Sequence, residues 1–283
     1  IAPFQVPIKE NGKFVGFVNV VKMEGRKFEG NRVVPCEVPD SIADEIEPVR
    51  QMILEAVAET DEELMERYFD GDEFTVDEIQ DALKSGIGSG DIVPVLCGCA
   101  VNGTGIGVLM TSICRYFPVA EAVHPTLDAV DKNGTPVKVE CGETAPFSAF
   151  VFKTSVDPFL GKITYFKINS GILRRDDPVA NVTKDAVERM NRLYVMRGKE
   201  QIEVPEIHAG DIGAVTKLSV TTTGDTLCGK RIAVNFPQIQ FPAALMCMAV
   251  EPKSKGDEDK VSASLQRLME EDPTIRISKD TET

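Results

Sequence analysis

Asp91-Ile92-Val93-Pro94-Val95-Leu96-Cys97-Gly98-Cys99-Ala100 is the stretch on which the reading of this chain turns. The apolar run at 92–97 predicts a strand of the kind buried on both faces of a parallel sheet, with a loop after it. Strand and loop have the form of the last strand and base-side loop of a nucleotide-binding α/β domain. Nothing ahead of them supplies the remainder, because no G-x-x-x-x-G-K-[ST] phosphate loop occurs anywhere in the 283 residues. The run therefore reads as a strand whose sheet partners are not evident, in a chain taken from the middle of a larger nucleotide-binding protein.

Upstream, two strands are expected at 4–8 and 14–23, with Asn11-Gly12 as the turn between them. Three helices follow. Ser41-x-x-Asp44, Thr60-x-x-Glu63 and Thr75-x-x-Glu78 all have capping-box form. The first helix carries an apolar stripe at Ile42, Ile46, Val49, Ile53 and Val57, with Pro48 predicting a kink or a restart. The second is expected to bury Leu64, Met65, Tyr68 and Phe69 and to stop at Gly71. The third is expected to bury Ile79 and Leu83 and to stop at Gly86.

Downstream, a helix is predicted from Ile106 to Tyr116, closed by Pro118. The Pro- and Gly-bearing residues 119–144 read as a linker with at most one strand, and Asp131-Lys132-Asn133-Gly134 inside it as a turn. Residues 145–235 read as all-β, with strands at 147–155, 162–169, 179–181, 189–195 and 212–218. Asp157-Pro158, Ser170-Gly171, Ala209-Gly210-Asp211 and Thr223-Gly224-Asp225 supply the turns. Short strands at this spacing fit a barrel or a sandwich. The run Thr221–Thr226 reads as a hairpin with packed threonines. The last segment reads β-α-β: a strand at 243–250, a helix at 257–271 with Val261, Leu265, Leu268 and Met269 inward, and a strand from Ile275.

Charge is unevenly spread. Residues 1–94 hold 21 acidic and 9 basic side chains, whereas residues 145–235 hold 13 basic and 10 acidic. The front segment should repel nucleic acid and attract a basic partner. The middle one tolerates RNA phosphate. No apolar run reaches the ~18 residues a membrane span needs. Seven cysteines without zinc spacing read as reduced thiols, with no metal site. His124 and His208 read as isolated surface or turn residues. The first residues are no signal peptide, and both ends read as boundaries inside a longer chain.

Taken in order, these parts resemble the elongation factor G family, the ribosomal translocation GTPases, over essentially the whole chain. The resemblance rests on Ala58–Tyr68, Ile92–Gly98, Asp157–Lys162, Ala209–Ile212, Thr221–Leu227 and Glu251–Lys255 together. The stretch Tyr194–Glu200 looks more like that of a paralogue of the main factor. The fold implied is α/β plus β. Residues 1–94 correspond to an acidic insertion subdomain of the GTPase domain, and 95–123 to the last strand and helix of that P-loop domain. Residues 124–144 are a linker, 145–235 the translation-factor β-barrel called domain II, and 236–283 part of the ferredoxin-like α+β domain III.

The function implied is part of a ribosome-translocating GTPase of the cytoplasm. The loop residues Cys99 and Ala100 take the place of the family's guanine-binding Gly-Ser-Ala segment, whose backbone N–H groups meet the guanine carbonyl. Lys153, Lys162, Arg174, Arg175 and Lys184 are nominated as contacts to ribosomal RNA phosphate, and Glu45, Glu55 and Glu59 as contacts to the ribosomal stalk protein. The resemblance implies GTP and Mg in the full-length parent. None is expected here, because the phosphate loop, switches and Asn-Lys-x-Asp motif are missing, so the chain alone should be inactive. Neither membrane nor DNA is an expected partner. Two other readings stay open: a non-catalytic ribosome-binding module, and a related ribosomal-protection or recycling GTPase. An unpartnered buried strand at 92–97 argues against the first of these.

Overall fold

The computed structural model describes residues 1–30, 32–157, 161–198, 200–254 and 256–278. The turn expected at Asp157-Pro158 lies outside the described residues, as do Phe159, Leu160, Lys199 and Lys255. The chain divides into two compact units, residues 1–119 and 120–283.

In the first unit, β1 (Ala2–Pro3) is followed by a four-stranded meander of β2 (Gln5–Glu10), β3 (Lys13–Asn19), β4 (Glu24–Glu29) and β5 (Arg32–Cys36). Asn11 and Gly12 turn β2 into β3, both at positive φ (50° and 76°), as a two-residue hairpin requires. The second expected strand ends at Asn19, and β4 and β5 were not expected. Their sequence, Glu24-Gly25-Arg26-Lys27-Phe28-Glu29 and onward, lacks an apolar alternation because β5 is an edge and its neighbour is half-exposed.

Helices α1 (Ala43–Ala58), α2 (Glu62–Asp70) and α3 (Val76–Ser89) come next. The α1 stripe is as expected: Ile46, Ile53 and Val57 are buried against Val6, Val18, Ile79 and Leu83. Full burial of a residue such as Ile53 contributes about 2–3 kcal/mol. Helix α1 runs unbroken through Pro48.

Three expectations about helix ends are corrected. A 3-10 turn at Asp40–Ile42 leads into α1, so Ser41 caps nothing. Asp61, not Thr60, caps α2, accepting from the N–H groups of Glu63 and Leu64, while the Thr60 hydroxyl donates to the Val57 carbonyl. Helix α3 continues past Gly86 to Ser89. Gly86 sits inside it because a Cβ there would lie 2.5 Å from Ile92 Cδ1. The capping box of Thr75 and Glu78 is formed in both directions, and α2 does end at Gly71, in left-handed geometry. Helix α2 buries none of its residues fully, and Phe69 is 78% exposed.

The opening strand shrinks to β6 (Pro94–Val95), which does have a partner: it runs parallel to β1, with Ala2 opposite Pro94. The amides of Ala2 and Phe4 donate to the carbonyls of Val93 and Val95, each at 2.9 Å. It is not buried on both faces, since Val93 is 55% and Val95 43% exposed. Helix α4 (Ile106–Tyr116) follows as expected.

The second unit opens with α5 (Ala120–Val123), where a linker was expected. The hairpin of β7 (Thr126–Asp131) and β8 (Pro136–Glu140) comes next, and it is two strands rather than one. Asp131 Oδ1 accepts from the N–H groups of Asn133 and Thr135 and so builds the expected turn.

The β body then comprises β9 (Ser148–Asp157), β10 (Gly161–Ser170), β11 (Ile172–Arg174), β12 (Pro178–Asn181), β13 (Ala186–Arg189), β14 (Leu193–Arg197), β15 (Glu200–Val204), β16 (Glu206–His208), β17 (Ile212–Thr216) and β18 (Thr226–Cys228). The strand expected at 189–195 is instead the end of β13 and the start of β14, broken at 190–192. Eight strands form one antiparallel sheet in the order β13-β12-β18-β9-β10-β17-β14-β15. Val179 of β12 and Leu193 of β14 share one core with Phe166 and Leu227. Five strand spacings separate β12 from β14, ~24 Å in a flat sheet, so the sheet must curl around this core. The pair β11–β16 adds Leu173 and Ile207 to the same core. A short strand, β19 (Val234–Asn235), joins β7 and β8 in a three-stranded sheet.

The terminal β-α-β expectation holds only for its helix, α6 (Glu258–Glu271), where Leu268 is exposed. Residues 243–250 and 275–278 form no strand: neither has a neighbouring strand to hydrogen-bond with among the described residues, and Leu245 is 99% exposed. No helix of the described residues is long and apolar enough to cross a membrane.

Candidate functional site

The loop after β6 is held from two sides. Gln5 Oε1 accepts from the Cys97 amide at 3.0 Å, and the Cys97 thiol lies 3.3 Å from the same oxygen. Burial pushes that thiol up to about 11, so Cys97 is an uncharged packing group. The Cys99 amide donates to the Thr104 carbonyl at 2.8 Å, while the Thr104 amide donates to Asn102 Oδ1 at 3.0 Å. These bonds fold residues 99–104 into a tight loop. One consequence is chemical. The Cys99 N–H is already engaged, and the N–H groups of Gly98 and Ala100, both exposed residues, are the donors this segment leaves for a ligand carbonyl. The Gly98–Ala100 segment thus offers guanine two backbone donors rather than three. Among the described residues no group of three or more His, Cys, Asp or Glu is placed to hold a metal ion such as Mg.

The five nominated basic residues fall into distinct situations. Arg174 Nε lies 3.2 Å from Glu206, and Arg175 Nη1 lies 2.8 Å from Glu203, so both guanidinium groups have carboxylate partners in the same body. Lys184 is tied inward, donating to the Val220 carbonyl at 2.7 Å and approaching Asp225 Oδ2 at 3.1 Å. Lys162 is half-buried, and its desolvation lowers its pKa against the pull of Glu270. Lys153 is exposed, and its side chain makes no hydrogen bond or ion pair among the described residues. It stands outward because Phe152 is the extra residue of a β-bulge, where Tyr165 pairs Lys153 and the next residue pairs Val151.

The network around Lys184 was not anticipated. Glu188 of β13 is nearly buried. It accepts from the amides of Ser219, Val220 and Thr221 at 2.6, 3.0 and 3.0 Å, and from the hydroxyls of Ser219 and Thr221. Burial raises its pKa, but the bonds from Thr221, Val220 and Ser219 outweigh this and the net shift is downward. Asp225, also buried, accepts from the Asn181 side-chain amide and the Thr222 N–H, each at 2.8 Å. The threonine run is therefore a loop clamped by two carboxylates, not a hairpin. An acidic residue flanked by Val187 and Arg189 carries no sequence mark of this role.

Glu45 and Glu55 of α1 and Glu59, which caps its C-terminal end, are all exposed, and they span about 80° of the helix circumference at ~100° per residue. Exposed Met52 lies between them on that arc. The Tyr68 hydroxyl donates to Glu55 at 3.4 Å. Nor is His208 isolated: its Nδ1 lies 2.8 Å from Glu143 and its Nε2 3.4 Å from Glu206.

Comparison with known proteins adds the order of these bodies. Residues 146–230 match the family described as Elongation factor G domain 2, and residues 241–283 match Elongation Factor G, domain III. Residues 146–230 and 241–283 thus carry two successive domains of the elongation factor G family. A solved crystal structure of a protein from Thermus thermophilus is similar over 99% of this chain, with 27% sequence identity and a TM-score of 0.79. The chain spans 40% of the length of that protein. As a translation-factor family, elongation factor G accounts for a β body followed directly by a second domain. The eight-stranded sheet coincides with the domain 2 match, and α6 lies inside the domain III match.

Proposed function

We propose that this chain is the central part of a ribosomal translocation GTPase of the elongation factor G type and that it supplies ribosome contacts. The observation that carries this reading is the succession of the two family domains along the chain. In this reading residues 1–94 are the insertion subdomain of the GTPase domain, and 95–123 its last strand and helix. The linker is 124–144, domain II is 145–235, and 236–283 begin domain III. The parent acts in the cytoplasm with GTP and Mg.

The residues divide the work by charge. The arc of Glu45, Glu55 and Glu59 around Met52 suits a basic partner with an apolar centre, the stalk protein. Lys153 is the first choice among the basic residues for RNA phosphate, because Arg174, Arg175 and Lys184 already have partners. Ala100 is a donor for a guanine carbonyl. Hydrolysis in such enzymes depends on positioned phosphates, metal and water, and this chain alone should neither bind GTP tightly nor hydrolyse it.

The test is cosedimentation of the chain with small ribosomal subunits and, separately, binding to the stalk protein's C-terminal domain, each across a salt series. Both affinities should fall from low to moderate salt. Salt-independent binding, or none, overturns the assignment. One observation favours keeping the non-catalytic ribosome-binding module as a second reading: β6 has β1 as its neighbour, which removes the cost of an unpaired buried strand.

A further inference from the structure

The outer face of the β body carries a cavity of about 570 Å³ that none of the roles above uses. Its floor is the sheet. Lys167 of β10 sits centrally, with Phe150 of β9 opposite it on one side and exposed Ile212 of β17 opposite it on the other. Two bulges shape this floor. Phe152 is the extra residue of the bulge on β9, and Asn169 is the residue passed over where Ile168 pairs Ala149 and Ser170 pairs Ser148. Bulges re-aim side chains, and both of these line the cavity. The wall is built by Phe236 and Pro237, after β19, and by Leu127 and Asp128 of β7.

The polar groups are few, and two of them are unengaged. Among the described residues the Lys167 side chain makes no hydrogen bond or ion pair, and the Asn169 side chain makes no hydrogen bond. Asp128 at the rim is held only by Lys138, at 3.7 Å, among the described residues. A cavity of this size, with apolar walls and a few convergent polar groups, has the make-up of a small-ligand site. Three phenylalanine rings call for a flat ring system. One free cation calls for one anionic group. An amide and a carboxylate lining the same cavity call for a ring edge that both donates and accepts.

The geometry points to a binding site for a single unpaired nucleotide, its base against Phe150, Phe152 and Phe236, its edge at Asn169 and Asp128, and its phosphate at Lys167. Base stacking on aromatic side chains tolerates any base, so the site should select for nucleotide over nucleoside rather than for one base. The inference does not rest on the proposed guanine loop, which lies in the other unit.

The test is calorimetric titration of the 283-residue chain with adenosine monophosphate, adenosine, inorganic phosphate and pentaadenylate. Adenosine monophosphate should saturate one site, with adenosine and phosphate each about tenfold weaker or more, because a charge-assisted contact and a stacking contact are each lost in turn. Lys167→Ala should weaken the monophosphate about tenfold and leave adenosine nearly unchanged, whereas Lys167→Arg should restore most of the loss. Asn169→Ala should weaken both.

Pentaadenylate much tighter than the monophosphate identifies single-stranded RNA as the source of the nucleotide; equal affinities identify a free nucleotide. No saturable binding of either overturns the proposal. So does phosphate binding as tightly as the monophosphate, or monophosphate binding that neither Lys167→Ala nor Asn169→Ala changes.

Discussion

The carboxylate of Glu188 accepts from both the backbone N–H and the side-chain hydroxyl of Thr221, 33 residues away along the chain. This double contact fastens the loop that follows β17 to the strand β13 at the opposite side of the sheet order. Glu188→Ala would leave three amides and two hydroxyls without an acceptor in a nearly buried site. Removing one member of such a network typically costs about 3 kcal/mol. Denaturant unfolding should show a loss of that order, and a change under ~1 kcal/mol would mean that the loop supports itself. The pH sign follows from the lowered pKa of Glu188. Its contribution is present above the unfolded carboxyl value and is lost as pH falls through the lower folded value.

A second carboxylate offers a cleaner titration. The Arg67 guanidinium donates to Glu78 at 2.7 Å, and Thr75 adds its N–H and hydroxyl, which together hold Glu78 at about 2 against an ordinary 4.5. The link between α2 and α3 should therefore be intact above pH 4.5 and weaken progressively as pH falls towards 2. Carbon-detected NMR titration of Glu78 measures this directly. Arg67→Ala should return most of the shift, and an unchanged midpoint in that variant would rule out the guanidinium as the main cause.

Gly86→Ala tests packing against propensity. Alanine is the better helix former by roughly 1 kcal/mol. Its Cβ, however, would lie 2.5 Å from Ile92 Cδ1 and 3.2 Å from Thr60 Cγ2. Overpacking of this kind costs about 1–3 kcal/mol, so the variant should be destabilised on thermal unfolding. Adding Ile92→Val should recover much of the loss. A more stable single variant would show that Ile92 has room to move.

Lys153 and Lys184 should separate binding from stability. Lys153→Ala should reduce the salt slope of small-subunit binding by about 1 and leave the unfolding midpoint unchanged. Lys184→Ala removes donors to the Val220 carbonyl and Thr222 Oγ1 and the partner of Asp225. It should lower the unfolding midpoint with little change in the salt slope. The reverse pattern would exchange their roles.

What could be read from the sequence was what depends on one element alone. The α1 stripe of Ile46, Ile53 and Val57, the stop at Gly71 and the reciprocal pair Thr75 and Glu78 each follow from residues within a few turns of one another. What escaped reading depends on distant partners. Gly86 looks like a helix end until Ile92 is placed against it. Thr60 and Asp61 are adjacent, and the backbone placed the side chain of the second over the helix amides. Strand β4 carries four charges in six residues, and β5, at the edge of the sheet, holds Pro35, so neither alternates visibly. At the candidate site, the loop at Gly98–Ala100 was legible from its residue types. The engagement of the Cys99 amide by Thr104 was not, since a backbone bond leaves no trace in side-chain identity. Equally hidden was the pairing of Arg174 with Glu206 and of Arg175 with Glu203, because β11 and β16 pair across about 30 residues of intervening chain.

The parallel seam of Ala2–Pro3 against Pro94–Val95 brings two points 92 residues apart in the chain to within one strand spacing, ~5 Å. Between them lie the meander and three helices, with their own apolar interior. A body closed in this way resembles a bead hung from a clasp: the incoming and outgoing segments meet at one place. Splicing such a bead into a host protein separates the host's cut ends by little more than the width of the clasp.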